Sequence, residues 1–338
     1  MPDELQVAVA GLGRIGRVHA ANLATRVRGA VLASVADADA ELAAAVGTEL
    51  GVPHTTSFAA LVADLSLDAV VIATPPGTHA RMIATAAEAG RHVFCEKPLA
   101  QDLQAAEAAV RAAQHAGVRL QVGFQMRWDG DLQAAAARLA SGELGRVFSL
   151  RTTLRDLAPP SRAYLRESAG FFADGAVHTL DLARWLGGEI AALDAFGVAV
   201  SDPMFAELGD VDTTVIVARF AGGGLGTLEN SRVSGYGFDA NTEVVAEHGT
   251  LRIAHDRRHH VQLLRPDAVT VDFVSDFLER FADAYVRELE GFAARIRAGE
   301  PVTPDGRDGL AAARLCEAAQ RSHRERRTVR VLDAVGIE

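Results

Sequence analysis

The stretch Val7-Ala8-Val9-Ala10-Gly11-Leu12-Gly13-Arg14-Ile15-Gly16 decides the fold. An apolar run of strand length leads straight into the spacing G-x-G-x-x-G, and an Ala-, Leu- and Arg-rich stretch over 14–27 reads as the helix behind it. In that setting Gly11 permits a tight turn, Gly13 lets the backbone approach a pyrophosphate, and Gly16 lets helix and strand pack closely. The N–H groups of Arg14 and Ile15 then face an anion at the helix N-terminus. Asp37 ends the next apolar run, 21 residues beyond Gly16. A carboxylate there accepts hydrogen bonds from a ribose 2′-hydroxyl and repels a 2′-phosphate, so the expected cofactor is NAD rather than NADP. The competing use of Asp37 is to cap a helix beginning near Asp39.

Outward from this stretch the first third alternates strands and helices. Strands are expected near 5–10, 30–36, 68–73, 91–94 and 119–123, with helices near 14–27, 39–50, 77–89 and 103–116, the rhythm of a doubly wound parallel sheet. After Phe124 the pattern changes to long β-type runs over 144–154, 211–220 and 225–232. The last two are joined by Ala221-Gly222-Gly223-Gly224, which implies an antiparallel or mixed sheet. Leu278, Phe281, Tyr285, Leu289, Phe292 and Ile296 form one helical stripe over 275–298, and a further helix is expected over 305–325. The expected division is therefore a dinucleotide domain over 1–123 and a substrate-binding domain over 124–338.

At 338 residues the chain suits two domains. Its apolar runs are strand-length or broken by charge, so no segment is expected to span a bilayer. The first residues, MPDELQVAVAG, carry no basic n-region, and a cytoplasmic location is expected. The net charge is −10, from 34 basic against 44 acidic residues, without a dense basic stripe, which argues against nucleic acid as a partner. Cys95 and Cys316 fall outside ligand spacing, so reduced thiols are expected and neither a disulfide nor a metal site.

Candidate catalytic groups lie at strand ends, where sheets of this class hold ligands. Thr74-Pro75-Pro76 is followed by His79, and Glu96-Lys97-Pro98 follows a second run. Lys97 there reads as facing the cofactor, the bland alternative being a solvated pair with Glu96. Further on, Asp174, His178 and Asp181 fall at i, i+4 and i+7 on an expected helix edged by Phe171, Phe172, Leu180 and Trp185. That stripe reads as lining a cleft. Its alternative is a helix start, with Asp174 as the cap and His178 in the core.

These residues resemble the Gfo/Idh/MocA oxidoreductases, and within them the bacterial inositol dehydrogenases. The likeness runs through GLGRIGRVHAANL, VFCEKPLA, RDLAPPSRAYLRESAGFFADGAVHTLDLARWL, GDVDTT, ENSRVSGYGFD and DGLAAARLCEAAQ, nearly the whole chain. It implies a Rossmann domain, a C-terminal α/β domain with a large open, mostly antiparallel sheet, and a homotetramer built through those sheets. It implies Lys97, Asp174 and His178 as the catalytic group. Glu96 and His79 match positions on the nicotinamide side, and Arg127, Asp156 and Tyr236 match regions of the substrate pocket. Three departures bear on the substrate: Ala169-Gly170 replaces a double glycine, Gly175-Ala176-Val177 replaces a bulkier run, and Tyr236-Gly237-Phe238-Asp239-Ala240-Asn241 replaces YGYDQR.

The implied reaction is reversible oxidation of a secondary ring hydroxyl of inositol or a related polyol to a ketone. His178, with an ordinary pKa of about 6.5, takes the hydroxyl proton. Asp174 or Asp181 orients the ring, and Lys97 stabilises alkoxide character. Open alternatives are a scyllo-inositol or pyranose dehydrogenase, a glycosidase that retains its NAD, and a non-catalytic dinucleotide sensor.

Overall fold

The computed structural model describes residues 4–254 and 257–331. The described residues divide into two compact units, 4–128 with 283–313, and 129–282 with 314–331.

The first unit opens with β1 (Leu5–Ala10), α1 (Arg14–Thr25), β2 (Ala30–Ala36), α2 (Ala40–Leu50), β3 (His54–Thr55), α3 (Phe58–Ala63), β4 (Ala69–Ile72), α4 (Pro76–Glu88), β5 (His92–Glu96), α5 (Leu103–His115) and β6 (Leu120–Gly123). Its six strands run in the order β3-β2-β1-β4-β5-β6, all parallel. The order reverses between β1 and β4, and loops at the carboxyl ends of strands flanking such a point are where this architecture binds ligands. Strands buried on both faces need helices on both, which explains why β4 and most of β1 carry apolar residues without alternation.

In the second unit the elements are α6 (Gly130–Ala140), β7 (Val147–Arg155), α7 (Arg162–Glu167), α8 (Phe171–Asp174), α9 (Ala176–Gly187), β8 (Ile190–Val198), α10 (Pro203–Glu207), β9 (Thr213–Phe220), β10 (Leu225–Ser231), β11 (Asp239–Ala246), β12 (Gly249–Ala254), β13 (Arg257–Leu264), β14 (Val269–Phe273) and α11 (Phe277–Arg280). The chain ends with α12 (Ala282–Arg297), α13 (Gly306–Glu325) and β15 (Val329–Arg330). Seven strands form a mixed sheet in the order β12-β11-β7-β10-β9-β8-β15, antiparallel except for β7 beside β10. One face, with Leu150, Ile216, Leu228 and Val244, is buried. α9 is fixed to this sheet by Thr179, which donates to the Asn230 side chain at 2.9 Å while Asn230 donates to Thr214 at 3.2 Å. On the other face, register aligns Phe196 with Val215 and Leu225 with Arg219, and all three apolar residues are exposed.

One expectation is corrected. The stripe over 275–298 is not one helix: Asp276 caps α11 by accepting from Glu279 N–H, and the helix breaks at Phe281 before α12 begins. Beyond the expected division at 123/124, the packing draws a later segment to the first unit. Val286, Leu289, Phe292, Ala293 and Val302 pack with Leu5, Val7, Val9, Leu23 and Phe94 in the first unit's core. A helix assigned by its place in the sequence to the second domain thus completes the first.

Candidate active site

In the first unit, β1 ends in a turn that only glycine fits. Gly11 has φ +87°, and a Cβ on it would lie 2.6 Å from the Ala73 carbonyl carbon. A Cβ on Gly16 would lie 1.7 Å from the Gly11 carbonyl oxygen, whereas one on Gly13 would meet nothing within 4 Å. Gly13 is the N-cap of α1 and offers no side chain to its first N–H groups. The open space at Gly13, at a helix N-terminus whose cap residue has no side chain, is the cradle a diphosphate needs.

Asp37 does not cap α2; Asp39 does, accepting from Glu41 and Leu42 N–H. Asp37 instead accepts from Leu12 N–H at 2.7 Å and from Asp39 N–H at 2.9 Å, which ties the end of β2 to the glycine turn and leaves the carboxylate half-buried. These residues fit an NAD diphosphate and ribose.

At the ends of β4 and β5, His79 is fully buried, with Nε2 2.7 Å from the Thr74 carbonyl and Nδ1 2.8 Å from that of Pro98. Burial lowers its pKa below the ordinary histidine value, against the pull of the two carbonyls. His79 therefore braces the loops beginning at Thr74-Pro75 and at Lys97-Pro98 through their backbone. Glu96 is buried too: Oε1 lies 2.8 Å from His19 Nε2, and Oε2 accepts from Lys97 N–H at 3.2 Å. The exposed Glu96–Lys97 pair considered from sequence is thus excluded for Glu96, while Lys97 is half-buried. Burial pushes the Cys95 thiol well above its usual pKa, as suits a small core residue. Arg127, in a single 3₁₀ turn over Gln125–Trp128, is buried and lies 3.2 Å from Asp308.

In the second unit, the single helix expected to carry Asp174, His178 and Asp181 is broken at Gly175, which closes α8 and starts α9. Any larger residue at 175 is opposed by Phe171, whose ring would stand 2.2 Å from its Cβ. The motif Gly209-Asp210-Val211-Asp212 explains how this corner is held. Asp210 accepts from Phe171 N–H at 3.0 Å and Val211 N–H at 2.8 Å. Asp212, fully buried, accepts from Val200, Ser201 and Thr213. Burial works to raise its pKa, but these donors outweigh it and hold the carboxyl below its ordinary value.

Asp174 is buried, and two residues not singled out from the sequence meet it. Arg232 donates to Oδ2 at 2.6 Å and Tyr164 OH donates to Oδ1 at 2.8 Å. The Arg232 guanidinium also covers the Phe171 ring at 4.4 Å and lies 3.6 Å from Asp156. Asp174 and Asp156, distant in sequence, therefore share one cation. Asp181 is buried on α9 and His178 half-buried one turn before it. Tyr236 is exposed; its OH donates to Asp239 at 2.7 Å, and its ring packs edge-on against Phe273. Asp239 also receives Arg155 at 2.7 Å and the Asn241 amide. Phe238, where YGYDQR has a hydroxyl, is buried against Phe277 and Phe281, a setting with no need of one.

A parallel sheet in the Rossmann strand order, a glycine cradle closed by Asp37, and a second α/β unit define a nicotinamide-dependent oxidoreductase. The chain belongs to the Gfo/Idh/MocA oxidoreductase family: residues 5–124 match its NAD-binding Rossmann fold and residues 136–331 its C-terminal α/β domain. It is 34% identical over 340 residues to myo-inositol 2-dehydrogenase of Thermotoga maritima, covering 98% of this chain and 100% of that one. It is 37% identical over 308 residues to scyllo-inositol 2-dehydrogenase (NAD(+)) of Bacillus subtilis, covering 90% of each. The solved scyllo-inositol dehydrogenase of Lactobacillus casei, with bound NAD(H) and scyllo-inositol, superposes with a TM-score of 0.91 at 29% identity, over 97% of this chain and 99% of that one. Among the described residues no helix is long and apolar enough to cross a membrane.

Proposed function

We propose that the protein is an inositol dehydrogenase that oxidises a secondary ring hydroxyl, as a myo-inositol 2-dehydrogenase does, to the ketone. The observation that carries this reading is near-full-length likeness to dehydrogenases of two inositol stereoisomers. scyllo-Inositol is the second reading, favoured by the Bacillus subtilis relative and the Lactobacillus casei complex.

Gly11, Gly13, Arg14, Ile15, Gly16 and Asp37 hold the NAD diphosphate and ribose, and the loops at Thr74-Pro75 and Lys97 serve the nicotinamide end. His79 and Glu96 act there at one remove, by fixing backbone. When bound, the nicotinamide accepts the hydride. Lys97 supplies the ammonium that stabilises alkoxide character on the reacting oxygen. His178 takes the hydroxyl proton, as an imidazole near neutrality can. Asp174, oriented by Arg232 and Tyr164, and Asp181 bind ring hydroxyls. Arg127, Asp156 and Tyr236 complete the polyol's recognition.

The test is a panel of cyclic polyols and aldoses with NAD and NADP, followed by the absorbance of the reduced nicotinamide. Turnover of an inositol with NAD, lost in Lys97→Ala and His178→Ala variants that still bind NADH, is the expected result. No turnover of any inositol, or wild-type rates in either variant, overturns it.

The protein is also proposed to be a homotetramer assembled through the exposed face of the seven-stranded sheet, supported by Phe196, Val215 and Leu225 standing there in register. Light scattering should give four times the chain mass, falling in a Phe196→Asp, Leu225→Asp double variant. A monomeric wild type rejects it.

A further inference from the structure

Beneath the backbone of Lys97 lies a group of ionisable side chains that the proposed reaction does not use. His19 on α1, Glu96 on β5 and Glu288 on α12 bring one nitrogen and two carboxylate oxygens within 4.8 Å of one another, all buried. Glu288 is fully buried, and neither of its carboxylate oxygens meets a hydrogen-bonding partner. Neighbouring residues pack closely around the group. Gln121 on β6 donates its amide to the Glu288 backbone carbonyl at 3.1 Å, Tyr285 stands edge-on to the His19 ring, and a Cβ on Gly123 would lie 3.0 Å from the Glu96 carboxylate.

Charge decides what such a group can be. With both carboxylates ionised, the core would keep an uncompensated negative charge even if His19 were protonated, and a buried unpaired charge is expensive. One additional proton removes it. Glu96 already accepts from two donors, His19 and Lys97 N–H, whereas Glu288 accepts from none. The proton therefore belongs on Glu288, where it turns repulsion between two carboxyl groups into a donor facing an acceptor.

We propose that Glu288 is a neutral carboxylic acid at physiological pH and, with His19 and Glu96, forms a closed proton-sharing cluster that positions the backbone of Lys97. Burial and the charge of Glu96 both raise the Glu288 pKa well above its ordinary value, in keeping with this. Glu288 is thus a positioning residue acting through Glu96. That part rests on the proposed role of Lys97, whereas the proton on Glu288 does not.

The sign of the linkage gives a test independent of turnover. An acid whose pKa is raised by folding loses stability as pH rises from its unfolded value, about 4.3, towards its folded one. Glu288→Gln is neutral at every pH. Its unfolding constant should therefore fall relative to wild type by up to about tenfold per pH unit between about pH 5 and pH 8. Infrared difference spectra at pH 7 should show the C=O stretch of a protonated carboxylic acid, shifting in D2O and absent from Glu288→Gln. Turnover of Glu288→Gln should stay within about threefold of wild type, with Glu288→Leu at least about tenfold lower. If Glu288→Leu fails to fold, the Gln variant carries the test. A missing infrared band, a band that survives in Glu288→Gln but not in Glu96→Gln, or a pH-independent stability difference overturns the proposal. So does a stoichiometric metal in the purified wild type that is lost in Glu288→Gln, which would make the cluster a cation site. An infrared band and stability slope as expected, with no inositol turned over, would leave the proton in place and sink only the proposed function.

Discussion

Arg232 is nearly as buried as a charged residue can be, and it is kept so by Asp174, Asp156 and the face of Phe171. Burial pulls its pKa down, but the Asp174 charge and hydrogen bond outweigh that and leave it above the ordinary arginine value. Breaking a buried pair by removing one partner costs about 3–5 kcal/mol, since the remaining charge stays in a poor solvent. Arg232→Met should therefore lower stability to urea by about 3 kcal/mol and turnover by at least about tenfold. Adding Asp174→Asn to Arg232→Met should restore part of the stability but none of the turnover. Penalties that simply add in the double variant would show that the two side chains are not coupled. Neither Arg232 nor Tyr164 could be read as a partner of Asp174 beforehand. Positions 164, 174 and 232 share no period, lying on α7, on α8 and just past β10, and only the tertiary fold brings them together.

Elements were legible where local physics dominates. Five strands of the first sheet are short apolar runs followed closely by Gly, Pro or Asp, so β1, β2, β4, β5 and β6 lie where the sequence put them, as do α1, α2, α4 and α5, whereas the two-residue β3, His54–Thr55, has no such run. The Gly-rich turn after Phe220 is likewise confirmed, with Phe220 N–H bonded to the Gly224 carbonyl at 2.9 Å. β8 and β11 escaped notice, because Asp194, Asn241 and Glu243 blur their alternation until neighbouring strands supply partners. The break at Gly175 escaped as well. The spacing of Asp174, His178 and Asp181 satisfies one continuous helix, and the bend comes from Asp210 holding the Phe171 backbone from 39 residues away. The glycine cradle was readable because its constraint, backbone passing close to backbone, is written in residues with no side chain.

For the whole molecule, the informative element is α12, which follows the expected boundary at 123/124 in sequence yet packs with the first unit. Periodicity shows that a helix has an apolar stripe but not which sheet it covers. Here the stripe of α12 goes back to the first sheet, and the attachment is not apolar alone. Val122 N–H donates to the Pro304 carbonyl at 3.0 Å, Arg119 donates to Gly299 at 2.8 Å, and Arg28 pairs with Glu290 at 2.8 Å. Burying Val286, Leu289, Phe292 and Val302 at about 1.5–3 kcal/mol each contributes roughly 6–12 kcal/mol, comparable with the entire stability of about 5–15 kcal/mol expected of a domain. A fragment ending at Trp128 therefore lacks enough core to fold. Expressed alone, residues 1–128 should unfold without a cooperative transition, bind a hydrophobic dye and fail to bind NADH. Joining residues 283–313 to that fragment through a flexible linker should restore both a sigmoidal melt and NADH binding. If residues 1–128 melt cooperatively and bind NADH unaided, α12 is an accessory to the first unit and the boundary read from the sequence was the better one.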